Sequence, residues 1–162
     1  MKKFACIAAA AVATISATAA QAQSYIEVRG GIAGSPDTTT ETIGLAAGYD
    51  FDVGSGAFVG TELTVDTNTS FDTPFYGLNL RVGTKIGETG KLFATAGAAR
   101  YETSGYIYGP NYFLAYSGWE TDVVAGVGYQ HKIGNSMRLS VQYQRYFDLQ
   151  ANRGTVGIGF EF

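Results

Sequence analysis

Apolar and polar residues alternate along this chain in runs of about ten, and no helix-forming insertion interrupts them. The last run shows the pattern plainly. Thr155, Val156, Gly157, Ile158, Gly159, Phe160, Glu161 and Phe162 place large apolar side chains on one face and glycine, threonine or a carboxylate on the other. Side chains of a strand alternate between faces, so such a run predicts a half-buried strand. Eight segments read this way: 24–33, 42–52, 57–67, 74–86, 91–103, 117–130, 137–148 and 153–162. In the second, Ile43, Leu45, Ala47, Tyr49 and Phe51 oppose Thr42, Gly44, Ala46, Gly48 and Asp50. In the fourth, Tyr76, Leu78, Leu80, Val82 and Ile86 oppose Gly77, Asn79, Arg81, Gly83 and Lys85. In the sixth, Trp119, Val123, Ala125, Val127 and Tyr129 oppose Glu120, Asp122, Gly126, Gly128 and Gln130.

The connections alternate in kind. Residues 52–56, 87–90 and 133–136 are tight turns, rich in glycine and other residues that tolerate positive φ. Residues 34–41, 68–73, 104–116 and 149–152 are on average longer and more varied, which predicts loops at the opposite end. Eight strands joined in sequence, with a last strand in need of a partner, predict an all-β, eight-stranded, antiparallel, up-and-down barrel closed by pairing the last strand with the first.

The bulk on the two faces decides which one points inward. An eight-stranded barrel has interior space only for side chains. Aromatic and branched residues from every strand would overfill it, whereas glycine with paired charges fits. The apolar face is therefore expected to look outward, into lipid, making this a transmembrane barrel. A charge on that face at mid-membrane costs about 2–4 kcal/mol, so charges should share the interior. The expected lumen set is Glu27, Arg29, Asp50, Glu62, Arg81, Lys85, Arg100, Glu102, Glu120, Asp122, Arg138, Arg153 and Glu161. Arg145 is the exception, on the face of Tyr143 and Phe147 near a strand end, where its long stem reaches headgroups. The same register sends Tyr49, Phe51, Phe93, Tyr129, Phe160 and Phe162 to one rim and Tyr76, Tyr101, Trp119 and Phe147 to the other, as two aromatic girdles.

The amino terminus adds an address. Lys2 and Lys3 precede an apolar, alanine-rich run from Phe4 to Ala20, and Ala20-Gln21-Ala22 fits a small-x-small cleavage site. Residues 1–22 read as a cleaved signal peptide and 23–162 as one barrel domain. The run is too short and alanine-rich for a membrane helix. The single cysteine, Cys6, lies within it, so the mature chain carries no thiol, which suits the periplasm. A net charge of −3 without a basic stripe argues against nucleic-acid binding.

With these features together, the chain resembles the small outer-membrane β-barrel family, which includes the OmpA transmembrane domain, OmpX and the opacity proteins. Residues 92–101, Leu92-Phe93-Ala94-Thr95-Ala96-Gly97-Ala98-Ala99-Arg100-Tyr101, look like the family's fifth strand, and Val124-Ala125-Gly126-Val127-Gly128-Tyr129 like its sixth. The terminal stretch resembles the signal by which such barrels are recognised for insertion, carried here by Val156, Ile158, Phe160 and Phe162. The resemblance implies a Gram-negative outer-membrane location, lipopolysaccharide as surrounding ligand, and the outer-membrane assembly machinery as partner. It implies no catalytic site. OmpA-like proteins often continue into a peptidoglycan-binding domain, and this chain is expected to stop at the barrel, as a monomer.

Four readings of function follow. Interleaved charges favour a salt-bridged plug, with a narrow porin-like channel for small solutes as the alternative. Tyr106, Tyr108, Tyr112 and Phe113, around a Gly109-Pro110-Asn111 turn, form either a hairpin reaching beyond the membrane or an adhesive tip for a host or matrix ligand. An enzyme of the outer leaflet would need a base beside a nucleophile there, and His131, the only histidine, sits at a glycine turn at the other end. A soluble periplasmic ligand carrier would bury its aromatics, against the girdle placement. No cofactor or metal site is expected.

Overall fold

A computed structural model describes residues 22–35, 38–70, 74–109 and 112–162, with the side chains of 22 and 104–116 outside the description. Eight strands follow one another: β1 (Ala22–Ser35), β2 (Thr38–Gly54), β3 (Ala57–Asn68), β4 (Phe75–Ile86), β5 (Gly90–Gly109), β6 (Tyr112–Ile133), β7 (Met137–Tyr146) and β8 (Ala151–Glu161). Each pairs antiparallel with the next, and β1 pairs with β8, so the sheet is a closed barrel. Closure leaves the barrel wall without an edge. The Ser24 and Phe162 main chains complete it with reciprocal bonds of 3.0 and 2.9 Å. The signal-peptide reading falls on residues outside the description, apart from Ala22, which opens β1.

The end that carries both termini has tight turns, and their backbone explains their composition. Gly54, Gly56, Gly87 and Gly134 have φ values of 91°, 79°, 65° and 63°, and Ser55 joins them at 54°. The opposite end departs from expectation. Segments 34–41 and 104–116, read as long loops, are mostly strand. β1 and β2 pair up to Ser35↔Thr38, and β5 and β6 pair up to Gly109↔Tyr112. β5 and β6 run for 20 and 22 residues, about twice what a tilted membrane strand requires. Ladders with β4 and β7 stop at Tyr101 and Val124, so the outer part of this hairpin stands above the barrel as a two-stranded ribbon.

The burial pattern is inverted relative to a water-soluble barrel. The largest fully buried side chains include Arg29, Arg81 and Arg138, while Leu80 is 66% exposed. Interior glycines make room for the few inward aromatics. A Cβ on Gly48 would stand 2.3 Å from the Tyr25 ring, and one on Gly128 would stand 2.3 Å from the Phe93 ring. In both cases the ring belongs to the directly paired residue of the neighbouring strand. Rings laid across glycines let a narrow barrel hold aromatic side chains without widening. Gly128→Val should therefore destabilise the barrel by about 1–3 kcal/mol through overpacking, read as a lower denaturation midpoint in detergent. Gly154→Ala, whose Cβ would meet nothing within 4 Å, should leave the midpoint unchanged.

Candidate functional site

The lumen is the most distinctive chemical site among the described residues. Its buried cations are Arg29, Arg81, Lys91, Arg138 and Arg153; its buried carboxylates are Glu27, Asp50, Glu62, Asp66, Asp122 and Glu161. Each sits on the inward parity of its strand, because the barrel turns every second side chain inside.

Three clusters fill the space. Toward the termini, Asp50 faces Arg81 at 3.3 Å and Lys91 at 3.1 Å. Arg81 also donates to the Tyr25 hydroxyl, which donates in turn to Glu62 at 2.8 Å. The Arg81 guanidinium lies 4.2 Å from the centre of the Phe93 ring, so an aromatic face covers what the carboxylates leave open. Beside them, Glu27 accepts from Arg138 at 3.1 Å and from Ser140 at 2.7 Å, and Arg138 lies over the Tyr25 ring at 3.6 Å. Toward the other end, Asp66 is clamped between two arginines. Arg29 donates to it from Nε at 2.7 Å and also from Nη2, and Arg153 approaches at 2.7 Å. Gln130 bridges Arg81 to Glu161, at 3.3 and 2.9 Å.

Asp122 uses different partners. Its carboxylate, fully buried, accepts the backbone N–H groups of Phe147, Asp148 and Leu149 at 3.0, 2.9 and 3.0 Å. It thus ties the β7–β8 turn to β6 and needs no cation. The remaining five buried carboxylates match the five buried cations in number. Just inside this mouth, Phe75 stacks on Tyr101 with centroids 5.3 Å apart and meets Tyr146 edge-on at 6.4 Å, forming an aromatic layer over the ionic interior.

Of the expected lumen set, Glu27, Arg29, Asp50, Glu62, Arg81, Asp122, Arg138, Arg153 and Glu161 are inside. Four are placed otherwise. Arg100 and Glu102 lie on the outer face, and Arg100 covers the Trp119 ring at 5.3 Å. The cause is a one-residue phase error in β5, which exchanges the two faces. Leu92, Ala94, Ala96 and Ala98 form the outer face there, while Phe93 and Tyr101, expected in the girdles, point inward at 3% and 6% exposure. Alanine and glycine on both sides of β5 leave little contrast to set the phase. Lys85 and Glu120 have the inward parity but stand at the rims. Lys85 is exposed and pairs with Asp52, and Glu120, also exposed, accepts from the Tyr101 hydroxyl at 3.0 Å. Asp66 and Lys91 were missed, although Asp66 shares its parity with Glu62 and was visible on that ground.

The other outward aromatics line the two rims. Phe51, Tyr129, Phe160 and Phe162 are exposed at the end that carries the termini, where Tyr49 meets Phe51 edge-on at 4.5 Å. Trp119 and Phe147 are exposed toward the other end, with Tyr76 against Trp119 at 5.9 Å. Val156 and Ile158 continue the outward face of β8. Arg145 is on the outer face, with Nη1 bonded to Gln150 O and Asn152 Oδ1. His131 is exposed beside Tyr129, whose hydroxyl is 3.3 Å from Nδ1. The side chains of Tyr106, Tyr108, Tyr112 and Phe113 lie outside the described residues; their backbones belong to the β5–β6 ribbon.

Several solved structures share this architecture. Ail, the attachment invasion locus protein of Yersinia pestis, superposes with a TM-score of 0.64 at 15% identity, over 88% of this chain and 98% of that one. The N-terminal β-barrel domain of Pseudomonas aeruginosa OprF gives 0.61 at 12% identity, over 86% and 97%. Neisserial surface protein A gives 0.56 at 12% identity, over 86% and 95%. At such identities the likeness is one of fold. No curated protein matches by sequence. Residues 5–162 match the family described as outer membrane protein β-barrel domain, and the chain belongs to that family.

Proposed function

We propose that this protein is a non-catalytic, solute-tight component of the outer membrane, with a structural role in the envelope and a surface-contact role at the β5–β6 hairpin. The observation that carries this reading is the charge-paired lumen. Unpaired charges in a narrow, low-dielectric interior are costly, and here each buried cation has a carboxylate or carbonyl oxygen partner. Residues 1–22 act as the export signal, and the end with tight turns faces the periplasm. The outward residues of β8, Val156, Ile158, Phe160 and Phe162, are what the assembly machinery reads. Lipopolysaccharide surrounds the barrel, which is monomeric.

The surface-contact reading draws on the hairpin and on one relative. Ail is an attachment protein by name and has been crystallised with the heparin analogue sucrose octasulfate. In this chain Tyr106, Tyr108, Tyr112 and Phe113 supply the aromatic contact residues, suited to a host or matrix ligand. A narrow pore is the second reading. Asn79 Oδ1, Thr95 Oγ1 and Arg81 Nε are buried in the lumen without a hydrogen-bond partner among the described residues, which favours water at these atoms.

Purified protein in planar bilayers should show no reproducible open steps; a stable unitary conductance would replace the plug with the pore. Asp66→Ala leaves Arg153 without its carboxylate and Arg29 with Glu62 at 3.8 Å alone, and should lower unfolding stability by about 3–5 kcal/mol in detergent. Phe162→Ser should reduce the amount of heat-modifiable barrel in outer-membrane fractions, and unchanged assembly would remove β8 from that role. Replacing Tyr108 and Tyr112 by serine should weaken attachment of expressing cells to host cells or matrix while the barrel remains heat-modifiable.

A further inference from the structure

The outer wall has a groove along the seam where β7, β8, β1 and β2 adjoin. Its upper section, about 570 Å³, holds Arg145, Asn152, Tyr143 and Ser35 near the end remote from the termini. The lower section, about 670 Å³, is walled by Ile43, Val141 and Val156. Ile32, Tyr143 and Gly154 line both sections, so the groove is continuous. Its depth comes from missing side chains. Gly30, Gly34 and Gly154 are outward positions on neighbouring strands, and none has a positive φ. A Cβ on Gly154 would meet nothing within 4 Å, and one on Gly30 only Thr42 O at 3.8 Å. Gly128 and Gly48 are small because a ring lies on them; Gly154 and Gly30 have no such packing reason. A larger apolar residue there would gain lipid contact and fill the depression.

Arg145 gives the groove its chemistry. It is a cation on the hydrocarbon-facing parity, one residue from the end of β7. Its Nη1 donates to Gln150 O at 3.2 Å and Asn152 Oδ1 at 3.1 Å, and the Tyr143 hydroxyl donates to the same Asn152 oxygen at 2.6 Å. These bonds use one nitrogen and orient the guanidinium, and among the described residues none takes its Nε–Nη2 edge, which can meet an oxyanion in the fork geometry that arginine offers phosphate. Ser35, Thr39, Gln150 and Asn152 line the same section and offer hydroxyl and amide groups to sugar hydroxyls. Among the described residues, Glu41 is the carboxylate lining the groove, and it belongs to the lower section's β2 wall and not to the section that holds Arg145.

We infer that this seam binds one phosphorylated glycolipid of the outer leaflet, with its phosphate on Arg145, its sugar against Asn152 and Ser35, and an acyl chain over Gly154 and Gly30. The inference rests on the outer-membrane orientation proposed above and gives the surrounding lipopolysaccharide a defined position. Native mass spectrometry of the detergent-purified barrel tests it, with bisphosphorylated lipid A, the same lipid without phosphates, and phosphatidylglycerol as probes. One lipid A per barrel should be retained about tenfold better than either other lipid. Arg145→Gln should lose about that factor, and Gly154→Leu and Gly30→Leu should each abolish retention while heat-modifiable mobility reports an intact barrel. Equal retention of the phosphate-free lipid or of phosphatidylglycerol would overturn the assignment, as would unaltered retention in Arg145→Gln or in both leucine variants. Failure with the barrel intact refutes the seam site alone, because lipid retention in detergent does not depend on which end of the barrel faces outward.

Discussion

Charge compensation inside a closed wall is the constraint on which this protein depends. A barrel of eight strands excludes bulk water from most of its interior, so every ion placed there must be stabilised by its neighbours. The five buried cations pair with Glu27, Asp50, Glu62 and Asp66 across strands that are distant in sequence, Glu161 takes Gln130 and Lys132, and Asp122 is satisfied by three backbone N–H groups instead. Arg29 of β1 reaches Asp66 of β3, and Arg153 of β8 reaches the same carboxylate. These pairs cross the lumen and hold together strands that share no backbone ladder. The wall provides hydrogen bonds between neighbours; the ionic filling couples non-neighbours.

The glycines follow from the same constraint. Guanidinium groups and the rings that cover them need width, yet the circumference is fixed by strand number and tilt. Width is recovered locally by removing side chains from the neighbouring strand, as at Gly48 beneath Tyr25 and Gly128 beneath Phe93. The opposite face has no such limit and carries leucine, valine and aromatic residues, which meet lipid. Inner and outer surfaces therefore have separate rules, and an alternating chain satisfies both.

That separation explains how much could be read from the residues. Strand number, order and closure were legible because the contrast between faces is strong in β2, β4, β6 and β8. It failed in β5, where Ala94, Ala96 and Ala98 face outward and Gly97 and Ala99 inward, so size does not mark the phase. Arg100 and Glu102 then pulled the register the wrong way, since a charge outside the hydrocarbon region stands on either face at little cost. Asp66 was legible by parity and overlooked, whereas its double clamp was not legible at all. Pairing across a lumen depends on strand stagger and tilt, which a single chain's pattern does not encode. Loop lengths misled for a related reason: serine, threonine, glycine and tyrosine suit an exposed ribbon as well as a loop.

The β5–β6 ribbon leaves the barrel at Tyr101 and Val124 and continues to Gly109 and Tyr112 with no lateral neighbour among the described residues. A lone pair of strands is marginally stable in water. This pair does not have to find its own alignment, because the ladders below are already fixed by β4 and β7. The barrel acts as a vice that holds the base of a mast. The alignment chosen beneath the membrane surface propagates upward, and the ribbon's upper pairs inherit their register from ladders far below them.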